Sequence, residues 1–187
     1  MLKRILFLIT IISVFSCNNQ SETEEKIDKI AVDMEVIRFE QEFASTKPQQ
    51  LPELKQKYPF LFPEQFPDSV WIDKLSDTLQ LEINQAVEDE FSDFSNQEDE
   101  LYALFQHMKY YFPEFEVPVV ITVTSEVDYK NKIIYTGDYL FVSLDTYLGT
   151  EHQFYTGLQE YLKKNFNKDQ IVVDAAEEIS KKYVPRP

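Results

Sequence analysis

Apolar positions recur along this chain at two different periods. After Pro67, residues Ile72, Leu75, Leu79, Ile83, Ala86, Val87 and Phe91 follow steps of 3, 4, 4, 3, 1 and 4. That is the stripe of one long amphipathic helix, which Asp68 or Ser69 can cap. Ser95 and Glu98 have the spacing of a capping box for the next helix. Its stripe is Leu101, Leu104, Phe105, Met108 and Phe112, and Pro113 stops it. A short link makes the two helices an antiparallel pair. The period then shortens to two. Val117–Thr124 is rich in β-branched residues, and the apolar runs Ile133–Thr136 and Tyr139–Leu144 flank Gly137-Asp138, a hairpin signal. In the second run Leu140, Val142 and Leu144 share one face, and Tyr139, Phe141 and Ser143 the other.

Shorter segments complete the pattern. Val36–Phe39 reads as a strand, with a helix after it over Glu40–Ser45. Leu51, Leu54 and Tyr58 mark a short helix closed by Pro59, and Tyr58–Pro67 reads as an extended, aromatic-packed connection. A helical period returns at Phe154, Leu158, Tyr161 and Leu162. A last helix, capped by Asn167, carries Val172, Ala175, Ala176, Ile179 and Tyr183. The order predicts an α+β fold: a mostly helical domain with a small sheet of antiparallel type.

The start of the chain follows targeting rules rather than folding rules. Lys3 and Arg4 precede an apolar stretch from Ile5 to Phe15, then Ser16 and Cys17, the layout of a signal peptide. The stretch has 11 residues, short of the roughly 20 that span a bilayer. The ending Val14-Phe15-Ser16-Cys17 resembles a bacterial lipobox, which implies cleavage before Cys17 and acyl chains on the mature N-terminal residue, palmitate among them. Residues 1–16 are then signal, 17–33 a lipidated polar tether, and 34–187 a single domain.

Charge narrows the partners. With Lys3 and Arg4 removed, 16 basic side chains (18 − 2) face 33 acidic ones, and the net charge moves from −15 to −17. Such acidity excludes ordinary nucleic-acid binding, which needs clustered Lys and Arg. It also disfavours direct adsorption to anionic lipid, leaving membrane contact to the anchor.

Catalytic candidates are few. With only 3 glycines the chain has neither GxGxxG nor a P-loop, so no nucleotide cofactor is expected. His107 and His152 are the only histidines and neither belongs to HExxH, so no metal site is expected. No GxSxG elbow exists. Ser143 and Asp145 lie two apart on one strand face, the spacing of a hydrogen-bonded pair, and Asp145 with Glu151, near the end of the hairpin, forms the polar cluster to inspect; turn or cap roles are the commoner use of such residues. The expected catalytic set is empty, and Cys17 is the one residue assigned chemistry, as the lipidation site.

Several segments carry a family resemblance. Tyr139–Gly149 (YLFVSLDTYLG) and Phe166–Pro185 (FNKDQIVVDAAEEISKKYVP) resemble signatures of the gliding motility lipoprotein GldB of Bacteroidetes. Val36–Glu40 (VIRFE), Tyr58–Pro63 (YPFLFP) and the leading lipobox occur in the same order. The resemblance implies a non-enzymatic envelope lipoprotein needed for gliding and associated with type IX protein secretion. Its expected place is the outer membrane of a Gram-negative bacterium, with other motility and secretion proteins as partners. It also implies a distant zincin-like frame without the metal site. A zincin-related hydrolase and a lipid-anchored binding module, with Tyr58–Phe66 as its surface, are the alternatives. GldB-like proteins typically continue past this chain's final helix. A missing C-terminal part would leave Val172, Ala176 and Ile179 uncovered.

Cys17→Ser is expected to move the protein from the membrane to the soluble fraction on cell fractionation. Full membrane retention of the variant would refute the anchor.

Overall fold

The computed structural model describes residues 18–184; Cys17 and the signal segment lie outside them. Helix α1 (Asn18–Ile27) leads into strand β1 (Val36–Arg38), helix α2 (Phe39–Ser45) and helix α3 (Leu51–Lys57). Helices α4 (Asp68–Ser76), α5 (Thr78–Phe91) and α6 (Ser95–Tyr111) follow. Strands β2 (Val119–Val123), β3 (Ile133–Tyr135) and β4 (Tyr139–Ser143) come next, then a short helix α7 (Glu160–Lys163) and the last helix α8 (Ile171–Tyr183). The α+β class expected from the pattern is the class observed.

The sheet departs from the expected antiparallel type. Its strand order is β1-β2-β4-β3, and β1, β2 and β4 all run parallel. Only β3 and β4 pair antiparallel, in register Tyr135↔Leu140 across the hairpin. Gly137 provides the turn at φ +102°, a conformation costly for any residue with a Cβ. The hairpin was readable locally, but its second strand inserts between β2 and β3. Parallel pairing of β1 with β2 needs a long crossover, which α2–α6 provide. Val120, Ile121 and Thr122 of β2 are buried in succession, as befits a strand covered on both faces.

Two apolar clusters hold the layers. The larger joins α5, α6 and α8 to the sheet through Ile83, Phe91, Leu101, Phe105, Leu140, Val142 and Ile179 among others. Burying each such side chain contributes about 1.5–3 kcal/mol. The smaller gathers Phe43, Leu51, Leu54, Tyr58 and Phe62, with Phe39 and Trp71 packed against it. It confirms the aromatic packing expected around Tyr58 and Phe62, while Phe60 and Phe66 stay exposed.

Other local expectations are corrected. The single long helix after Pro67 is two helices, because Asp77 leaves the helix and its side chain accepts the Gln80 N–H at 2.9 Å to cap α5. Ile72 and Leu79 are therefore exposed, whereas Ile83, Val87 and Phe91 point inward as predicted. At the start of α6, Asp93 rather than Ser95 takes the capping role, accepting the Ser95 N–H at 2.9 Å. The helical stretch expected at Phe154–Leu162 is a 3-10 turn (Gln153–Tyr155) and the single turn of α7, with Tyr161 exposed.

The reading of 17–33 as a polar tether is also corrected over its described part. Residues 18–27 form α1, and Ile27 is fully buried. Gln106 of α6 donates to the carbonyls of Asp28 at 3.2 Å and Ile30 at 2.9 Å, and the Val32 N–H reaches the Tyr102 hydroxyl at 3.4 Å. A few apolar anchors and a docking surface on α6 outweigh the polar composition of the segment.

Helix α8 packs on α6 and β3. Ile171, Ala175 and Ile179 are fully buried, and Val173 is an apolar residue of the exposed face. Ile179→Ala should therefore cost about 2–5 kcal/mol in denaturant unfolding. Val173→Ala, on the same helix, should stay within about 0.5 kcal/mol. Equal effects would contradict this packing.

Candidate functional site

In sheets with parallel strands, polar side chains gather where the strands end at their carboxyl termini. Here β1, β2 and β4 deliver Arg38, Thr122 and Ser143 to one edge, with Glu40, Thr124, Ser125 and Asp145 just beyond it. Helix α5 adds Gln80 and Asn84.

Arg38 and Glu40 form the first group. The Arg38 guanidinium donates to Glu40 at 2.7 Å and to the Phe91 carbonyl at 2.8 Å, and stacks over the Phe94 ring at 4.9 Å. The other Glu40 oxygen accepts from the buried Thr122 hydroxyl. Glu40 is almost fully buried, and its first-turn position also suits the α2 dipole. A buried carboxylate persists only when paired and hydrogen-bonded in this way. Gln80 is the second group: its amide donates to Thr124 at 2.9 Å and to Asn84 at 2.7 Å, while its buried carbonyl oxygen has no partner.

The third group centres on Asp145, which is fully buried in the 3-10 turn after β4. Its carboxylate accepts the Ser125 N–H at 2.9 Å, the Ser125 hydroxyl at 3.3 Å and the Val127 N–H at 2.6 Å. Between those donors, Glu126 and Val127 adopt φ of 56° and 61°. Left-handed backbone is costly for a β-branched residue, so the carboxylate holds a strained loop in place. Burial pushes the Asp145 carboxyl up from its ordinary value, and the two amides pull it back down. The backbone of the same turn is pinned by Tyr155, whose hydroxyl donates to the Asp145 carbonyl and accepts the Leu148 N–H, each at 2.9 Å.

The cluster singled out from the sequence is thus only partly assembled. Asp145 is central, but as a loop anchor. Ser143 donates to the Asn131 carbonyl at 3.4 Å, and Glu151 is exposed in the following loop. His107 bonds the Ala103 carbonyl at 2.8 Å on α6, with Glu24 of α1 at 3.4 Å. His152 accepts the Phe154 N–H at 3.3 Å, and burial pulls its pKa down. Among the described residues no group of three His, Cys, Asp or Glu side chains is placed to hold a metal ion.

Sequence reasoning overlooked Arg38, Glu40, Gln80 and Thr122. The available signal was two charges inside the apolar VIRFE run, where a charge needs a buried partner. A further, half-buried polar group around Asp174 ties α8 to the sheet. Its carboxylate takes Lys132, the Tyr147 hydroxyl at 2.8 Å and the Gln170 amide at 3.2 Å. Burial and the Asp174 charge push the Tyr147 pKa far up, so it stays a neutral donor.

Beside the strand edge lies an open cleft of about 590 Å³ between α2 and α5, lined by Glu40, Ser45, Leu81, Asn84 and Glu88 among others. Glu40 faces it with both oxygens already committed. The arrangement is suited to fixing strands, helices and a strained loop in one geometry.

A family model described as gliding motility protein GldB matches residues 20–187. No curated protein and no solved structure matches the chain.

Asp145→Ala leaves the Ser125 and Val127 amides without their acceptor and should cost roughly 2–4 kcal/mol in denaturant unfolding. Carboxyl-carbon NMR should place Asp145 above Asp93 and Asp128, which hydrogen bonds from Ser95 and Asn131 respectively hold low. Its folded pKa exceeds the unfolded one. Its share of stability is therefore full below the unfolded pKa and is lost as pH rises through the folded pKa. An Asp145 titration below both references would refute this account.

Proposed function

The chain belongs to the gliding motility protein GldB family, and on that premise we propose that it is a lipid-anchored, non-enzymatic component of the gliding machinery in the cell envelope. It works beside the type IX secretion apparatus, as a folded domain held at the membrane through Cys17. The observation that carries this reading is the family match, which spans residues 20–187 and so runs from within α1 through α8.

Three features support it. Among the described residues no helix is long and apolar enough to cross a membrane, so attachment through the lipobox cysteine is the economical route. The acidic surface disfavours direct adsorption to anionic lipid. The polar constellation at the strand ends spends its hydrogen bonds on internal positioning, with Arg38, Glu40 and Asp145 each bound to neighbouring backbone or side chains. A component of this kind acts by placing surfaces, and its output is assembly rather than turnover.

Deleting the gene should abolish colony spreading. A copy carrying His107→Ala together with His152→Ala should restore spreading and secretion to nearly the original level. Both residues are the only imidazoles available for general acid–base work. Failure of that stable double variant to rescue would count against a non-enzymatic role.

A further inference from the structure

The break between α4 and α5 at Asp77 leaves Leu79, which a continuous helical stripe would have buried, at the surface beside Phe66 and Val70. Phe66, Val70 and Leu79 are 43%, 43% and 47% exposed, and with Trp71 they line an open groove of about 650 Å³. Singly exposed apolar residues are ordinary, but several converging on one concavity mark an interaction site. Trp71 is held in place by edge-on contact with Phe62 at 4.8 Å and Phe66 at 6.2 Å. Its indole N–H is buried beneath the groove, shut off from solvent and without a hydrogen-bond partner.

The rim is acidic. Asp73, Asp77 and Glu126 border the groove, and the single cation there, Lys74, is already paired with Glu126 at 2.8 Å. Glu126 is one of the two left-handed residues of the loop stapled by Asp145. The fold therefore accepts backbone strain at the position that brings this carboxylate to the rim, and such strain concentrates at functional sites. An anionic lipid headgroup is repelled by this rim.

We propose that the groove docks a peptide segment of a partner protein that inserts a large apolar side chain between Val70, Trp71 and Leu79 and flanks it with lysine or arginine. The acids on the rim steer and orient the basic flanks, and the apolar floor supplies the affinity. The proposal rests on the reading that the chain works through protein partners. Its test in solution succeeds or fails independently of the genetic rescue.

Trp71 is the only tryptophan in the chain, so intrinsic fluorescence reports on the groove directly. The full-length protein in neutral detergent is titrated with a short synthetic peptide of central leucines flanked by lysines. A saturable shift of Trp71 emission is expected, weakened by added salt because the flanking contacts are exposed. Val70→Ser combined with Leu79→Ser should reduce affinity at least about tenfold with little change in the unfolding midpoint, since both side chains lie at the surface. Asp73→Lys should weaken binding as well. Equal affinity for the same peptide carrying glutamates in place of lysines would overturn the proposal. So would binding unaffected by the serine pair, or a concentration-dependent Trp71 shift without peptide, which would make a second copy of the chain the occupant.

Discussion

Placing β4 between β2 and β3 forces the connection from β2 to β3 to cross over the carboxyl end of β4. That crossing depends on one buried carboxylate. Asp145 stands immediately past the strand and receives the Ser125 and Val127 amides as the loop passes over it. Two left-handed residues make the bend tight enough. Without the acceptor, the strained backbone and its polar groups would have to find water, and the loop would lift off the strand end. The amide donors offset part of the cost of burying the charge, and burial outweighs them, so the carboxyl titrates high rather than low. Tyr155 fixes the same turn from behind, so the anchor is itself anchored.

The two apolar clusters are joined by similar devices. Arg38 reaches from β1 to the end of α5, and Glu40 ties α2 to β2 through Thr122. Asp174 links α8 to Lys132 before β3 and to Tyr147 after β4. Each uses a charged group where an apolar one would pack as well, and each specifies which elements meet. Replacing one partner alone would strand the other in low dielectric, so these contacts act more on geometry than on total stability.

With the carboxylates of Glu40 and Asp145 paired within the fold, most of the other acidic side chains are exposed. The surface is strongly acidic, with an apolar groove beside the helix break at Asp77. The same strained loop that closes the sheet delivers Glu126 to that groove and pairs it with Lys74. Sheet topology and surface chemistry are thereby coupled through a few residues around Asp145.

Local chemistry by itself determined the elements that depend on near neighbours. The stripe of α6, the inward half of α5, the hairpin at Gly137 and the alternation of Leu140 and Val142 were all legible. Periodicity and turn stereochemistry act over a few residues, so they survive in the sequence. The GldB signatures were equally readable, being contiguous strings. Tertiary structure alone decided the rest. Strand order depends on contacts far apart in the chain, so a hairpin signal could not reveal that β4 runs parallel to β2. Asp77 competes with the helix that apolar spacing predicts, and only packing settles which prevails. Residues 18–33 looked too polar to order until α6 offered Gln106 and Tyr102 to their backbone. Asp145 was noticed as an acid near a turn, and its role as the anchor for Ser125 and Val127, some 20 residues earlier, emerged only when folding brought them together.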